Sequence, residues 1–280
     1  MCLLLLSLRA HPDCDVLLAG NRDEYHHRPA APPAALERDP VIYAGRDLEA
    51  GGTWMGRNEA GLFAALTNFR SPGRGAPPRV RSRGELVLAL LRHLDPADAL
   101  AALAAEDPRR FRPYNLLFGN RNGFYYYTSE GEAPPRPLGP GTYVLSNSFL
   151  DDRSWPKVRR THEFLAACRH LRGETWLLAL QAFLCDATPP DDLPARDRDE
   201  EIHGNLGAVF IRSSGYGTVS SSIITEGGTL GFRYYYAEGR AMLRAGTAMA
   251  RLAAADPPPA TTEHPDNPFR RLAFGRPAGP

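Results

Sequence analysis

A cysteine directly follows the initiator methionine, and further on the chain reads LLAGNRDEYHHRP, an apolar run ending in Asn21, Arg22, Asp23 and Glu24. Removal of Met1 would leave Cys2 with a free α-amine beside its thiol. An unperturbed amine has a pKa near ~8 and a thiol one near ~8.5. The pair can share a proton at neutral pH, which makes a nucleophile with a built-in general base. An aspartate near that amine could orient it, and an arginine near the thiol could lower its pKa. Two further strand-like runs end in asparagine, ALTN at Asn68 and VLSN at Asn147, and an asparagine amide can donate to a developing oxyanion. Each of these residues also has a plain structural reading: a small residue opening a strand, a charged turn, and strand-to-turn asparagines.

The elements that must bring these residues together begin with a hairpin. Residues 2–9 and 15–22 are apolar runs separated by HPDCD, a turn-forming stretch. In such a hairpin the end of the second strand lies beside the start of the first, so the NRDE block neighbours Cys2. A slip by one residue would put Asn21 or Glu24 on the active face instead of Arg22.

A Pro- and Ala-rich loop is expected over 28–40, a turn at GGTWMG with Trp54 on the core, and a buried strand at GLFAALTN. The Pro/Gly-rich stretch at 70–83 carries Arg70, Arg74, Arg79, Arg81 and Arg83. These could bind a phosphorylated or carboxylated ligand, although the general arginine bias favours a solvated loop.

Helices are expected at GELVLALLRHL and after Asp95-Pro96, where Asp can cap and Pro suits the first helical position. Strands are expected at YNLLFGN, FYYYTS and TYVLSN, and helices at PKVRRTHEFLAACRHL and ETWLLALQAFLCDA. A charged loop covers 187–205, and GAVFIR, YGTVSSSIIT and TLGFRYYYAEG close the series as strands. The pattern predicts an α+β protein with helices layered on antiparallel sheets, one domain over 1–253 and an extended or disordered Pro-rich tail over 254–280.

Composition excludes several classes of function. With 33 basic and 32 acidic residues the formal charge is +1, which gives no global field for nucleic acid. Almost every basic residue is arginine, and Lys157 is the only lysine. Four cysteines without CxxC spacing argue against a disulfide framework or zinc site and fit a reducing cytosol. The adjacent His26 and His27 would point to opposite faces of a strand, a poor geometry for one metal. No GxGxxG loop or GxSxG turn is present, and no run approaches a membrane span. A cytoplasmic protein without metal or organic cofactor is expected, and its oligomeric state is not readable.

The motifs MC, LLAGNRDEYHHRP, AGRDLEAGGTWMG, GLFAALTNFR, RSRGELV, YNLLFG, GTYVLSNSFLD, WPKV and YGTVSSSII together resemble the NRDE family, also called the transport and Golgi organisation protein 2 family. The resemblance implies an αββα sandwich like that of the N-terminal nucleophile hydrolases, most similar to the cysteine enzymes that cleave amide C–N bonds. Carried over, Cys2 matches the nucleophile, Arg22 and Asp23 the early Arg and Asp, and Asn68 and Asn147 the two asparagines. The family pattern also has an arginine where YGTV places Val219, for which Arg212 or Arg233 would have to substitute.

The activity so implied is a cysteine hydrolase or acyltransferase acting on a small-molecule, non-peptide amide or acyl substrate. The competing expectation is a non-catalytic binding or trafficking protein for a hydrophobic ligand such as haem, acyl-coenzyme A or lipid.

Overall fold

The computed structural model describes residues 2–70, 81–131, 133–190, 205–254 and 261–274. Its first hairpin pairs β1 (Cys2–His11) with β2 (Cys14–Tyr25). These lie in a six-stranded antiparallel sheet ordered β10-β1-β2-β11-β12-β13, with β10 Gly141–Leu145, β11 Tyr216–Glu226, β12 Arg233–Glu238 and β13 Arg270–Arg271. The second sheet runs in sequence order from β3 to β9: Ala30–Arg38, Val41–Asp47, Met55–Asn58, Phe63–Asn68, Tyr114–Asn120, Gly123–Thr128 and Arg136–Leu138.

Successive strand residues point to opposite faces, and the apolar strands use both. Leu4, Leu6 and Leu8 of β1 pack with Val16, Leu18, Phe63, Ala65 and Leu117 between the sheets. Their neighbour Leu5, with Leu17 and Ala19, faces the other way against Trp176, Leu177 and Leu180. On the second sheet Ala64, Leu66, Leu116 and Phe118 turn outward onto Leu86, Val87, Leu90 and Leu91. Strands buried on both faces explain the unbroken apolar run LLLL near the start.

The covering helices are α1 (Arg83–Leu91) and α2 (Pro96–Ala104) on one side, and α3 (Pro156–Cys168), α4 (Gly173–Leu184) and α5 (Gly239–Ala253) on the other. The result is the expected αββα sandwich, an α+β fold. No helix among the described residues is long and apolar enough to cross a membrane. Asp95 caps α2 as its sequence suggests, accepting from the Ala97 N–H at 2.7 Å.

Four local expectations are corrected. The loop expected at 28–40 contains β3, an edge strand whose register shifts around Pro32 and Pro33, as an edge tolerates. GAVFIR is not a strand: Phe210 N–H bonds Asp186 O, and Ile211 O accepts from Thr218 N–H. The helix α5 follows β12 without having been read from its sparse, Ala-rich apolar pattern.

Part of the expected tail, 261–274, docks on the domain rather than trailing from it. Phe269 enters the outer core, Asn267 donates to Gln181 Oε1 at 2.7 Å, and Leu272 N–H bonds Tyr234 O. Phe269→Ala should therefore cost about 3–5 kcal/mol, the usual range for a buried phenylalanine. Urea unfolding of the full chain measures it, and a change below about 0.5 kcal/mol, typical of a surface site, would show that the docked tail adds nothing to stability.

Candidate functional site

Where β1 begins, the ends of the two sheets enclose a cavity of about 380 Å³, and Cys2 lies in its wall. The β1–β2 ladder sets Cys2 directly opposite Arg22, and β11 sets Ser220 opposite Arg22 on the other side. Facing residues on adjacent strands share a face, so Cys2 and Arg22 both look into the cleft. This settles the register: Arg22 and Glu24 line the cavity. Asn21 points into the helix layer, where its Nδ2 donates to Leu184 O and Val209 O and its Oδ1 accepts from Ser221.

Arg22 Nη2 donates to Asp47 Oδ2 at 3.2 Å, and Arg28 Nε reaches the same oxygen at 2.7 Å. Burial works against the charged form of Asp47, but the hydrogen bonds from Arg28 and the Ala50 N–H, with both guanidinium charges, hold its carboxyl below the usual range. Arg22 Nη1 is buried and has no hydrogen-bond partner among the described residues.

Asp23 takes up a different place from the one expected. Its Oδ2 pairs with Lys157 Nζ at 3.2 Å, with both side chains sealed from solvent, and its Oδ1 accepts from Thr218 Oγ1 at 2.7 Å. The Asp23 backbone N–H bonds the Cys2 thiol. Lys157, in the WPKV motif at the start of α3, went unassigned in the sequence. Its signal was present, because an arginine-biased chain retains a single lysine there.

The two asparagines also divide their work. The Cys2 main-chain nitrogen donates to Asn147 Oδ1 at 3.1 Å, and Asn147 Nδ2 donates to Asn68 O at 2.7 Å. Asn147 thus holds the nitrogen that would become the α-amine through its Oδ1, and one of its two amide N–H donors is taken by Asn68 O. Asn68 lines the cavity, and it is the asparagine whose amide can serve as donor. Ser146 Oγ fixes the Cys2 carbonyl at 3.1 Å. The Met1 whose removal would free the amine lies outside the described residues.

The thiol itself departs from expectation. Burial pushes the Cys2 thiol up, aided by the Asp23 carboxylate; the chain-terminal charge, the Asp23 N–H and Arg22 pull it down without overcoming burial. A depressed thiol pKa is therefore not what this geometry produces. The remaining cysteines are pushed up too, Cys14 and Cys185 to about 12 by burial.

From the arginine-rich stretch, Arg74 and Arg79 fall outside the described residues, and Arg81 is locked to Glu85 and Glu106. Arg83, the first residue of α1, lines the cavity and donates to Pro113 O at 3.1 Å. Burial, followed by the nearby Arg112, lowers its pKa to about 10, and the Cys2 side chain is among the groups that act on it. Its approach depends on two motif glycines. A Cβ on Gly52 would lie 2.5 Å from the Gly84 carbonyl carbon, so GGTW and RGEL must both be bare where α1 meets the turn before β5.

The full extent of the matched chain agrees with this arrangement. The family model for Transport and Golgi organisation 2 matches residues 1–235. The chain belongs to the Transport and Golgi organisation 2 family. It is 33% identical over 227 residues to the Transport and Golgi organization protein 2 homolog of Bos taurus, covering 75% of this chain and 81% of that protein. The Homo sapiens homolog is 32% identical over 228 residues, with the same coverage.

Among solved structures, the Caenorhabditis elegans N-acylethanolamine-hydrolyzing acid amidase ortholog superposes with a TM-score of 0.50 at 12% identity, over 80% of this chain and 92% of that one. Penicillin V acylase from Agrobacterium tumefaciens gives 0.43 at 13% identity, over 85% and 83%. The fold is that of the N-terminal nucleophile hydrolases.

Val219, which stands where the family pattern has arginine, is the bulged residue between Thr218 and Ser220 on β11. Neither proposed substitute reaches the cavity. Arg233 is bound to Glu174 and Leu230 O on the outer side, and Arg212 is not among the described residues that line the cavity.

The buried Lys157–Asp23 pair yields a direct test. Lys157→Met leaves the carboxylate sealed without its cation, which should cost about 3–5 kcal/mol in urea unfolding. Asp23→Asn in that background should restore part of the loss, whereas additive losses would mean the two groups are not coupled.

Proposed function

We propose that this protein is a cysteine N-terminal nucleophile enzyme that cleaves, or transfers the acyl group of, a small-molecule amide. One observation carries the reading: Cys2 opens β1 in the wall of a cavity, with its main-chain nitrogen held on Asn147 Oδ1 at 3.1 Å and Arg22 directly across the ladder. The fold it shares with amide-cleaving enzymes supports the reading.

With Met1 removed, the Cys2 sulfur would attack the acyl carbon while its proton passes to the α-amine, so that no free thiolate has to accumulate. That route suits a thiol whose pKa burial has raised. Asn147 would keep a lone pair of the amine turned toward the sulfur by accepting a hydrogen bond from one of its N–H groups. The new oxyanion would take a hydrogen bond from the Asn68 amide. Collapse would break the C–N bond, and the α-ammonium would return the proton to the departing nitrogen. Water or an amine acceptor, deprotonated by the same α-amine, would then attack the thioester, release the acyl group and restore the thiol. Asp23 would act at one remove, with its N–H on the sulfur and its carboxylate anchoring the strand end to α3.

Intact mass and N-terminal sequencing provide the first check, with Cys2 expected as the mature first residue. Iodoacetamide should label Cys2 ahead of Cys14, Cys168 and Cys185, because Cys2 opens on a cavity. The pH profile of that labelling should report formation of the Cys2 thiolate. Arg22→Met removes a cation that favours the thiolate, so its profile should move to higher pH. Retention of Met1, or slow and equal labelling of all four thiols, would sink the proposal.

A further inference from the structure

The charges lining the Cys2 cavity do not balance. Five arginines border it (Arg22, Arg28, Arg81, Arg83 and Arg112) with four carboxylates (Asp23, Glu24, Asp47 and Glu49). The carboxylates are already committed. Asp23 is held by Lys157, Asp47 by Arg22 and Arg28, and both Glu24 and Glu49 by Arg28. Arg81 turns to Glu85 and Glu106. Among the described residues no carboxylate pairs with Arg83 or Arg112; the Arg83 guanidinium has one carbonyl, Pro113 O.

Two further donors face the same space. Arg22 is only 6% exposed, and its Nη1 has no hydrogen-bond partner among the described residues. A buried guanidinium nitrogen without an acceptor costs free energy that a ligand oxygen would recover. The N-terminus of α1 also opens here, since Ser82, Arg83 and Gly84 line the cavity. The first N–H groups of a helix lack intrahelical acceptors and sit at the positive end of its dipole; Glu85 already closes a capping box with Ser82, which leaves the N–H groups of Arg83 and Gly84 for a ligand. Burial and the neighbouring Arg112 weaken the hold of Arg83 on its proton, as expected of a cation waiting for an anion.

We infer that the Cys2 cavity recognises an anion, and that its substrate carries a carboxylate close to the acyl bond presented to the thiol, bound by Arg22 Nη1, Arg83 and the α1 N-terminus. This rests on the proposed nucleophile reading for the word substrate, while the binding itself does not require it. The cavity volume of about 380 Å³ lies at the small end of ligand sites and suits a compact molecule. Guanidinium geometry matches a planar carboxylate. The carboxylate can belong to the leaving amine, as in an N-acyl amino acid, or to the acyl part, as in the half-amide of a dicarboxylic acid.

The test uses the full chain with Cys2→Ala, which has no thiol and so reads binding alone. Calorimetric titration compares N-acetylglycine, succinamate, the neutral N-acetylglycinamide and inorganic phosphate. At least one carboxylate should bind about tenfold or more tighter than the neutral amide, the scale of one charge-assisted hydrogen bond. Whichever carboxylate binds tighter identifies the side of the scissile bond that carries the charge.

Arg83→Met should abolish the preference and Arg83→Lys should retain most of it. Arg112→Met should reduce it, which keeps the test open if Arg83→Met does not fold. Equal binding of charged and neutral probes, no binding of either carboxylate, or a preference untouched by both methionine variants overturns the inference. Phosphate binding more tightly than both carboxylates overturns the carboxylate assignment. A failure of Cys2 labelling in the unmodified protein would instead remove the nucleophile and leave this binding result standing.

Discussion

The ladder between β1 and β2, set so that Cys2 faces Arg22, is the constraint on which the rest of the site depends. Side chains alternate along a strand, so a shift of one residue would exchange every group in the NRDE block between cleft and helix layer. Several independent anchors hold the register. The Asn21 amide reaches Leu184 O and Val209 O, Asp23 reaches Lys157 and Thr218, and the leucines of β1 fill two separate cores. Slipping the ladder would bury Arg22 against α4 and turn Asn21 into the cleft. The four-residue block is thus an alternating pattern in which Asn21 and Asp23 fasten the strand to the helices while Arg22 and Glu24 serve the cavity.

The bulge on β11 extends this division. Thr218 pairs with Asp23 and Ser220 with Arg22, with Val219 inserted between them. The extra residue lets Thr218 Oγ1 meet both the Asp23 carboxylate and the Ile211 N–H. The bulge carries Val219 in this chain, and besides Arg22 a further cation reaches the cavity from the opposite layer. Arg83 enters from α1, over the bare Gly52–Gly84 crossing. Positive charge in the cavity therefore depends on the packing of α1 against the second sheet as well as on the strands that carry Cys2 and Arg22.

What could be read in the sequence followed the range of the interaction. The hairpin, the Asp95 cap and the layering of helices on antiparallel sheets were legible because they rest on local periodicity and turn chemistry, whereas the αββα order of the layers was implied by the family resemblance. The strand β3 was hidden by Pro32 and Pro33, which an edge strand tolerates and an interior one does not. GAVFIR has the apolar content of a strand, yet its donors and acceptors go to Asp186 and Thr218. The docking of 261–274 turns on a few residues, Asn267 and Phe269 above all, set in a stretch whose average composition is that of a tail. Within the site, Cys2, Arg22, Asp23, Asn68 and Asn147 were identifiable as a set, but the direction of each hydrogen bond was not. Whether Asn147 donates or accepts depends on which group lies within about 3 Å, and that is decided by residues far away in the chain.

Lys157 shows how a composition can hold a structural fact. The chain uses arginine almost wherever a cation is needed, and yet α3 retains one lysine. The position is completely buried and the partner is a single carboxylate that already accepts from Thr218. An ammonium is a compact charge on a flexible stem, whereas a guanidinium brings five N–H donors in a rigid plane. In a sealed space beside one carboxylate, most of those five would find no acceptor, and each buried orphan costs about 1–3 kcal/mol. An ammonium, with three donors to the guanidinium's five, leaves fewer of them without an acceptor there. By fixing Asp23, it also fixes the main-chain N–H that touches the Cys2 thiol, so the anchor on α3 and the chemistry on β1 are joined through one residue of the NRDE block.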